Sequence, residues 1–110
     1  MEEIIMNLIM HSGEARSYSM EAIQAAKENN IEEAKSLIEK ADEELGHAHN
    51  AQTSLIQAEA GGDKAEFSLL LCHAQDHLMT TMTLKDVAIE IIDIYTRLYY
   101  QFNMNSNVLH

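Results

Sequence analysis

The stretch HAQDH, from His73 to His77, places two histidines and an aspartate within little more than one helical turn. Residues four apart lie on the same side of a helix, so His73 and His77 are neighbours there. Asp76 points in another direction, because successive side chains are rotated by about 100°. Imidazole and carboxylate groups bind metals, move protons and act as nucleophiles. The chemistry that these groups can perform therefore depends on which of them share a face of the helix.

Several of these chemistries do not fit the local sequence. A zinc site of the HExxH type needs a glutamate after the first histidine, and Ala74 occupies that position. A di-iron site needs two Glu-x-x-His units on four helices, and Glu44 to His47 provides one. Cys72 and His73 diverge by about 100°, which argues against a cysteine–histidine nucleophile. Two interpretations remain, a patch of hydrogen-bonded histidines, or a neutral imidazole that accepts a phosphoryl group and passes it on.

The composition limits the class of protein. The chain has 110 residues, enough for one domain, and it contains no proline and only 4 glycines, which is typical of helices. Its 18 acidic residues against 7 basic ones would repel nucleic acid and anionic lipid. The start, MEEIIMNLIMHSGEARS, has acids where a signal peptide has bases, and only one cysteine is present. We expect an all-α protein of the cytoplasm that does not bind nucleic acid.

Three long helices are predicted from the positions of the breaks. Asn29-Asn30 ends a helix over residues 3–28, and the Gly61-Gly62-Asp63 cluster ends a second one over residues 31–60. Asp63 and Glu66 have the spacing of a capping box, so the third helix is predicted to begin there. We expect an antiparallel three-helix bundle formed by residues 1–102, followed by a flexible polar C-terminal tail, 103–110.

The third helix has two apolar stripes. An internal seam should face the other two helices, and it comprises Phe67, Leu71, Ala74, Leu78, Thr81, Lys85, Ala88, Ile92, Tyr95 and Tyr99. Phe102 continues the spacing near the end of the helix but departs from this direction. A second stripe on the opposite side has no partner within a three-helix bundle, and it comprises Leu69, Cys72, Asp76, Met79, Thr83, Val87, Glu90 and Ile94. Association between copies is therefore a hypothesis. Parallel copies would bring their Asp76 carboxylates together, where a shared proton or a divalent cation would relieve the repulsion.

Two segments carry a family resemblance. AHNAQTSLIQAEA at 48–60 and SLLLCHAQDHLMTTMTLKD at 68–86 closely resemble the IIA component of the lactose/cellobiose class of the bacterial phosphotransferase system. The resemblance begins at the ARS stretch, Ala15 to Ser17, and continues to the Ile-Tyr end of helix three. It implies three-helix subunits that form a compact homotrimer. Such a protein takes phosphate from the phosphocarrier HPr and passes it to a cysteine of the IIB component, with the IIC membrane component only an indirect partner.

The resemblance also implies roles for individual residues. His73 would be phosphorylated, and His77 would orient or stabilise the phosphoryl group. Asp76 from each subunit would hold a divalent cation, expected to be Mg²⁺, at the trimer centre, and no organic cofactor is expected. Four further residues would either line the active groove or make hydrogen bonds between helices, namely Gln75, His49, Gln52 and Gln57.

The resemblance leaves the sugar and one alternative function open. Ala74, directly after the first histidine, favours the cellobiose/chitobiose branch over the lactose branch. The alternative is a non-catalytic helical oligomerisation or adaptor module, in which HAQDH holds a structural metal or a polar site. Transfer of phosphate to His73 distinguishes these two classes.

Overall fold

The described residues form three long α-helices. The computed structural model describes residues 2–64 and 66–109, with side chains through residue 105, and its helices are α1 (Glu2–Lys27), α2 (Ile31–Ala60) and α3 (Leu69–Leu109). The chain reverses at each connection, so α2 is antiparallel to both of its neighbours and α1 runs parallel to α3. No strand occurs within the described ranges. The predicted all-α three-helix bundle is confirmed.

The end of α1 is a left-handed cap at Asn29. This residue has φ +61°, a conformation that asparagine tolerates better than most side chains. The next amide, Asn30 N–H, donates to the carbonyl of Ala25 at 2.8 Å, and Asn29 N–H donates to that of Ala26 at 3.0 Å. This pair of hydrogen bonds is the Schellman motif, which satisfies carbonyl groups at a helix end. The predicted stop at Asn29-Asn30 is confirmed.

The end of α2 repeats the same motif with glycine. Gly62 has φ +94°, Asp63 N–H donates to the carbonyl of Ala58 at 2.9 Å, and Gly62 N–H donates to that of Glu59 at 3.0 Å. Glycine reaches this conformation without a steric penalty because it has no Cβ. The predicted end of the second helix is therefore also confirmed.

The predicted start of the third helix is wrong. α3 begins at Leu69, and its capping residue is Ser68, whose Oγ accepts a hydrogen bond from Leu71 N–H at 3.1 Å. Asp63 cannot cap α3, because it lies six residues before Leu69, and its backbone N–H belongs to the motif that ends α2. Glu66 precedes the helix as well.

The internal seam of α3 is buried through its middle. Five of its residues are buried, namely Ala74, Leu78, Thr81, Ala88 and Ile92, and four are half-buried, namely Leu71, Lys85, Tyr95 and Tyr99. Phe67 was wrongly assigned to the seam and is 87% exposed, and Phe102, which departs from the direction of the seam, is 71% exposed. Phe67 precedes the helix, and Phe102 extends past α1, whose last residue, Lys27, accepts a hydrogen bond from Tyr99 Oη at 2.7 Å.

Helix α3 continues beyond its predicted end near Phe102. Residues 103–109 continue the same helix, where the sequence predicted a separate tail. The flexibility of this segment stays a prediction, and His110 lies outside the described residues.

Small side chains on α1 form the centre of the core. Fully buried residues recur along one face of α1, and they are Leu8, Ser12, Ala15, Ser19, Ala22 and Ala26. Because most of them are alanine or serine, the neighbouring helices can approach α1 closely. Larger side chains fill the space on either side, with Leu45 and Leu78 near one end and Leu37 and Ile92 near the other. The bundle measures 69 × 20 × 19 Å, so every helix has an extended outer face.

The second stripe of α3 has no partner within the described chain. Leu69, Met79, Val87 and Ile94 are 87%, 53%, 48% and 59% exposed, and Cys72 alone of the stripe is half-buried. Exposed apolar side chains spaced along a whole helix face are unusual on the surface of a monomer and agree with the hypothesis of association between copies. None of the described helices is both long enough and apolar enough to cross a membrane.

The two adjacent glycines at the end of α2 give a matched test of this turn. Gly62→Ala is expected to lower the free energy of unfolding by about 1 kcal/mol, because alanine is strained at positive φ. Gly61→Ala should be nearly neutral, since Gly61 has φ −82° and an added Cβ would meet ordinary contacts at 3.5 Å. Urea unfolding of both variants measures the difference. Equal stabilities for the two variants would contradict the assigned left-handed cap.

Candidate functional site

His73 and His77 form a stacked pair on α3. Their ring centroids are 6.0 Å apart and the rings are inclined by only 13°. His73 is exposed and His77 is half-buried. The helix alone produces this arrangement, because residues four apart project from adjacent turns. One imidazole is thus accessible to a large partner, while the other lies behind it.

His77 lies against a glycine of α1. A Cβ placed on Gly13 would lie 3.6 Å from His77 Nε2, so this nitrogen is turned toward the α1 backbone. A larger side chain at position 13 would occupy the space beside the ring. One side of the His77 ring is therefore covered by α1, whereas the His73 ring is exposed.

The surroundings of His77 favour its neutral form. Partial burial lowers the pKa of His77 below the usual 6.5, and the nearby His73 and Arg16 lower it further. Burial acts by removing water from the charged ring, and the other two groups act by repelling a second positive charge. A neutral imidazole has one N–H donor and one acceptor nitrogen. His77 is therefore suited to donate a hydrogen bond near pH 7.

Sequence reasoning missed Gly13 and Arg16 as parts of this site. Both belong to α1, about 60 residues earlier in the chain than the histidines they approach. The available signals were a glycine inside an otherwise regular helix and the ARS stretch of the family resemblance. Neither signal indicates which helix the side chains would face.

Asp76 lies in the second stripe of α3, about 100° around the helix from His77 and about 60° from His73. Its side chain is exposed within the second stripe, and its backbone carbonyl accepts a hydrogen bond from Thr80 Oγ1 at 2.8 Å. Among the described residues of one chain, no three His, Cys, Asp or Glu side chains are grouped so that they could hold a metal ion. A carboxylate is nonetheless a suitable ligand for Mg²⁺. A metal at Asp76 would require oxygen ligands from further copies of the chain.

The other candidate residues lie apart from the pair. Gln75 faces α2, where Gln52 Nε2 donates to Gln75 Oε1 at 2.7 Å, so these two amides connect helices. His49 is exposed in a groove between α2 and α3 that Met82 and Lys85 also line. Gln57 is exposed on α2. The structure brings His73 and His77 together and leaves these four residues outside that contact.

A second group of histidines joins α1 and α2. His11 Nδ1 lies 2.6 Å from Glu44 Oε2, and the rings of His11 and His47 are 5.1 Å apart. Glu44 and His47 are the residues with Glu-x-x-His spacing, and here the glutamate pairs with a histidine across the helix interface. This group connects the helices and is separate from the His73–His77 pair.

Comparison with known proteins identifies the family. The family model for the lactose/cellobiose-specific IIA subunit of the phosphotransferase system matches residues 3–96. The lichenan-specific phosphotransferase enzyme IIA component of Bacillus subtilis is 54% identical over 101 residues, which are 92% of this chain and 92% of that protein.

Solved structures agree with this match. The cellobiose-specific enzyme IIA from Bacillus anthracis superposes with a TM-score of 0.88 at 50% identity, over 90% of this chain and 91% of the other. The chitobiose IIA in complex with HPr from Escherichia coli superposes with a TM-score of 0.78 at 40% identity, over 89% of this chain and 95% of the other. The chain therefore belongs to the lactose/cellobiose-specific IIA subunits of the phosphotransferase system, a family of phosphotransferase components that carry phosphoryl groups.

Proposed function

We propose that this protein accepts a phosphoryl group from phospho-HPr on His73 and passes it to a cysteine of its IIB component. The observation that carries the proposal is the exposed His73 ring stacked on His77, which α1 holds from behind. A carrier residue must meet two protein partners in turn, so it has to be accessible. Membership of the family favours this function over a non-catalytic adaptor with a polar site at HAQDH.

The chemistry needs a neutral nucleophile with a nearby hydrogen-bond donor. A ring nitrogen of His73 attacks phosphorus, a new P–N bond forms, and the bond between phosphorus and HPr breaks with its electrons leaving on HPr. His77 then donates a hydrogen bond to a phosphoryl oxygen. The lowered pKa of His77 favours its neutral form, in which one ring nitrogen carries the N–H that donates this hydrogen bond.

HPr is the proposed donor because a related chitobiose IIA has been solved in complex with it. The net charge of −11 would steer a partner that presents basic residues toward this chain. The IIC membrane component would act indirectly, through IIB. We place these reactions in the cytoplasm.

The proposed sugar is a disaccharide of the cellobiose/chitobiose type. The similar proteins described above are named for lichenan, cellobiose and chitobiose. Ala74, directly after His73, also favours the cellobiose/chitobiose branch. Because IIB and IIC handle the sugar, this chain would influence sugar choice mainly by selecting its IIB partner.

We further propose that three copies associate through the second stripe of α3. The stripe is apolar and exposed, and burying it would remove a large apolar area from water. Parallel copies bring their Asp76 carboxylates toward one axis, where the charges repel unless a cation is present. Mg²⁺ held by Asp76 from each subunit would supply that compensating charge.

Phosphorylation of His73 is the direct test of the proposed activity. Incubation with phospho-HPr should give a phosphoprotein that is labile in acid and stable in alkali, and His73→Ala should abolish it. His47→Ala removes a histidine of the α1–α2 group and should leave labelling at the wild-type level. A wild-type protein that stays unlabelled by a competent phospho-HPr would refute the proposal.

Titration of His77 tests its neutral state. NMR spectra of the unphosphorylated protein should show His77 titrating below pH 6.5, for the three reasons given above. Because the unfolded chain binds the proton more tightly, this group should reduce the stability of the fold as the pH falls through and below about 6.5. His77→Gln should lack that part of the pH dependence. A His77 that titrates above 6.5 would contradict the desolvated environment.

The charge at Asp76 tests the proposed assembly. Asp76→Leu should leave a trimer at least as stable as the wild type, because it removes convergent charges from an apolar interface, a change often neutral or worth about 1–4 kcal/mol. Sedimentation with and without EDTA measures both properties. Chelation should weaken the wild-type trimer and leave the Asp76→Leu trimer unchanged. Dissociation of the variant into monomers would place Asp76 away from the axis.

A further inference from the structure

Arg16 lies on the α1 face that approaches His77. It follows Gly13 by three residues, so both project from the same side of α1. Helices α1 and α3 run parallel, and Gly13 lies beside His77. Helical side chains lean toward the N-terminus of their helix. The long Arg16 side chain therefore leans back from the next turn toward the level of His77, with His73 one turn further on.

No acidic side chain competes for Arg16 on its own helix. The residues three and four positions away are Ser12, Gly13, Ser19 and Met20, although the chain has 18 acidic residues. Within the described ranges, Arg16 forms no ion pair and no side-chain hydrogen bond, and its side chain is exposed.

The two basic residues of α3, in contrast, are both engaged by carboxylates. Arg97 Nε donates to Asp93 Oδ2 at 3.0 Å, and Lys85 Nζ contacts Asp42 Oδ1 at 2.7 Å. Arg16 thus retains its full hydrogen-bonding capacity in a strongly acidic protein. A guanidinium group has five N–H donors and binds the oxygens of phosphate in pairs.

The charge of Arg16 acts on His77, the half-buried ring of the pair. Its positive charge is one of the three causes that lower the pKa of His77. A charge close enough to disfavour protonation of His77 is also close enough to attract a dianion held beside it. The same group would therefore stabilise a phosphoryl group on the neighbouring ring.

We propose that the Arg16 guanidinium binds the oxygens of the phosphoryl group while this group is bonded to His73. The inference rests on the proposed transfer from phospho-HPr. One P–N bond forms at His73 and the bond from phosphorus to HPr breaks, with the proton released by His73 balancing the one that HPr takes up. Arg16 undergoes no covalent change and neutralises part of the phosphoryl charge. Gly13 keeps the space beside His77 clear for this contact.

Three variants test this role. Arg16→Gln should lower the maximal rate of transfer from phospho-HPr by roughly tenfold or more, because a charged donor to the developing phosphoryl group is lost. Arg16→Lys retains the charge and should give a rate between those of Arg16→Gln and the wild type. Arg97→Gln is the matched control, since it removes the other arginine of the chain far along α3, and it should match the wild type.

A second readout separates phosphoryl binding from docking and from folding. Arg16→Gln should raise the pKa of His77 in an NMR titration, and the phosphorylated variant should hydrolyse faster than phosphorylated wild type, while its helicity stays the same. An effect on KM alone would mean that Arg16 docks HPr, which would overturn the proposal. So would a rate within twofold of the wild type, or an Arg16→Lys rate as low as that of Arg16→Gln. Failure of the wild type to accept phosphate would instead refute the proposed function.

Discussion

The close, parallel packing of α3 on the small-residue face of α1 is the constraint on which the site depends. Alanine and serine are fully buried along α1, so its backbone approaches both neighbours closely. Gly13 is a further small residue of α1, and because it has no side chain, His77 Nε2 can lie against the helix backbone. A one-turn shift of α3 would separate His77 from Gly13 and Arg16, because each turn advances the helix by about 5.4 Å. The packing of the bundle therefore sets the electrostatics of the pair.

Helix α3 divides its functions among its faces. The seam holds the helix in the bundle, the exposed stripe opposite is available to other copies, and the histidines lie between the two. This division places Asp76 in the stripe and His73 at its edge, about 60° away around the helix. It also means that the proposed assembly and the proposed transfer can be changed separately by substitution, because no described contact joins Asp76 to either imidazole.

The sequence predicted the helix ends correctly where they depend on the backbone conformation of single residues. Both Schellman caps coincide with predicted breaks, since Asn29 and Gly62 have the residue types that accept positive φ. The predicted start of α3 was wrong because Asp63 belongs to the turn that ends α2, where its N–H donates to Ala58. Ser68 was the better cap, five residues later. Phe67 was consequently assigned to a seam that begins after it.

The sequence by itself determined the helical class, the faces of α3 and the neighbouring positions of His73 and His77, because all of these follow from the helical period. Resemblance added the family, which the comparisons confirm. Only the tertiary structure decided that Gly13 and Arg16 belong beside His77, that Gln75 bonds to Gln52, and that the second stripe lacks a partner within the described chain. The reason is that periodicity shows which residues share a face of one helix, whereas the register between helices depends on the packing of side chains distant in sequence.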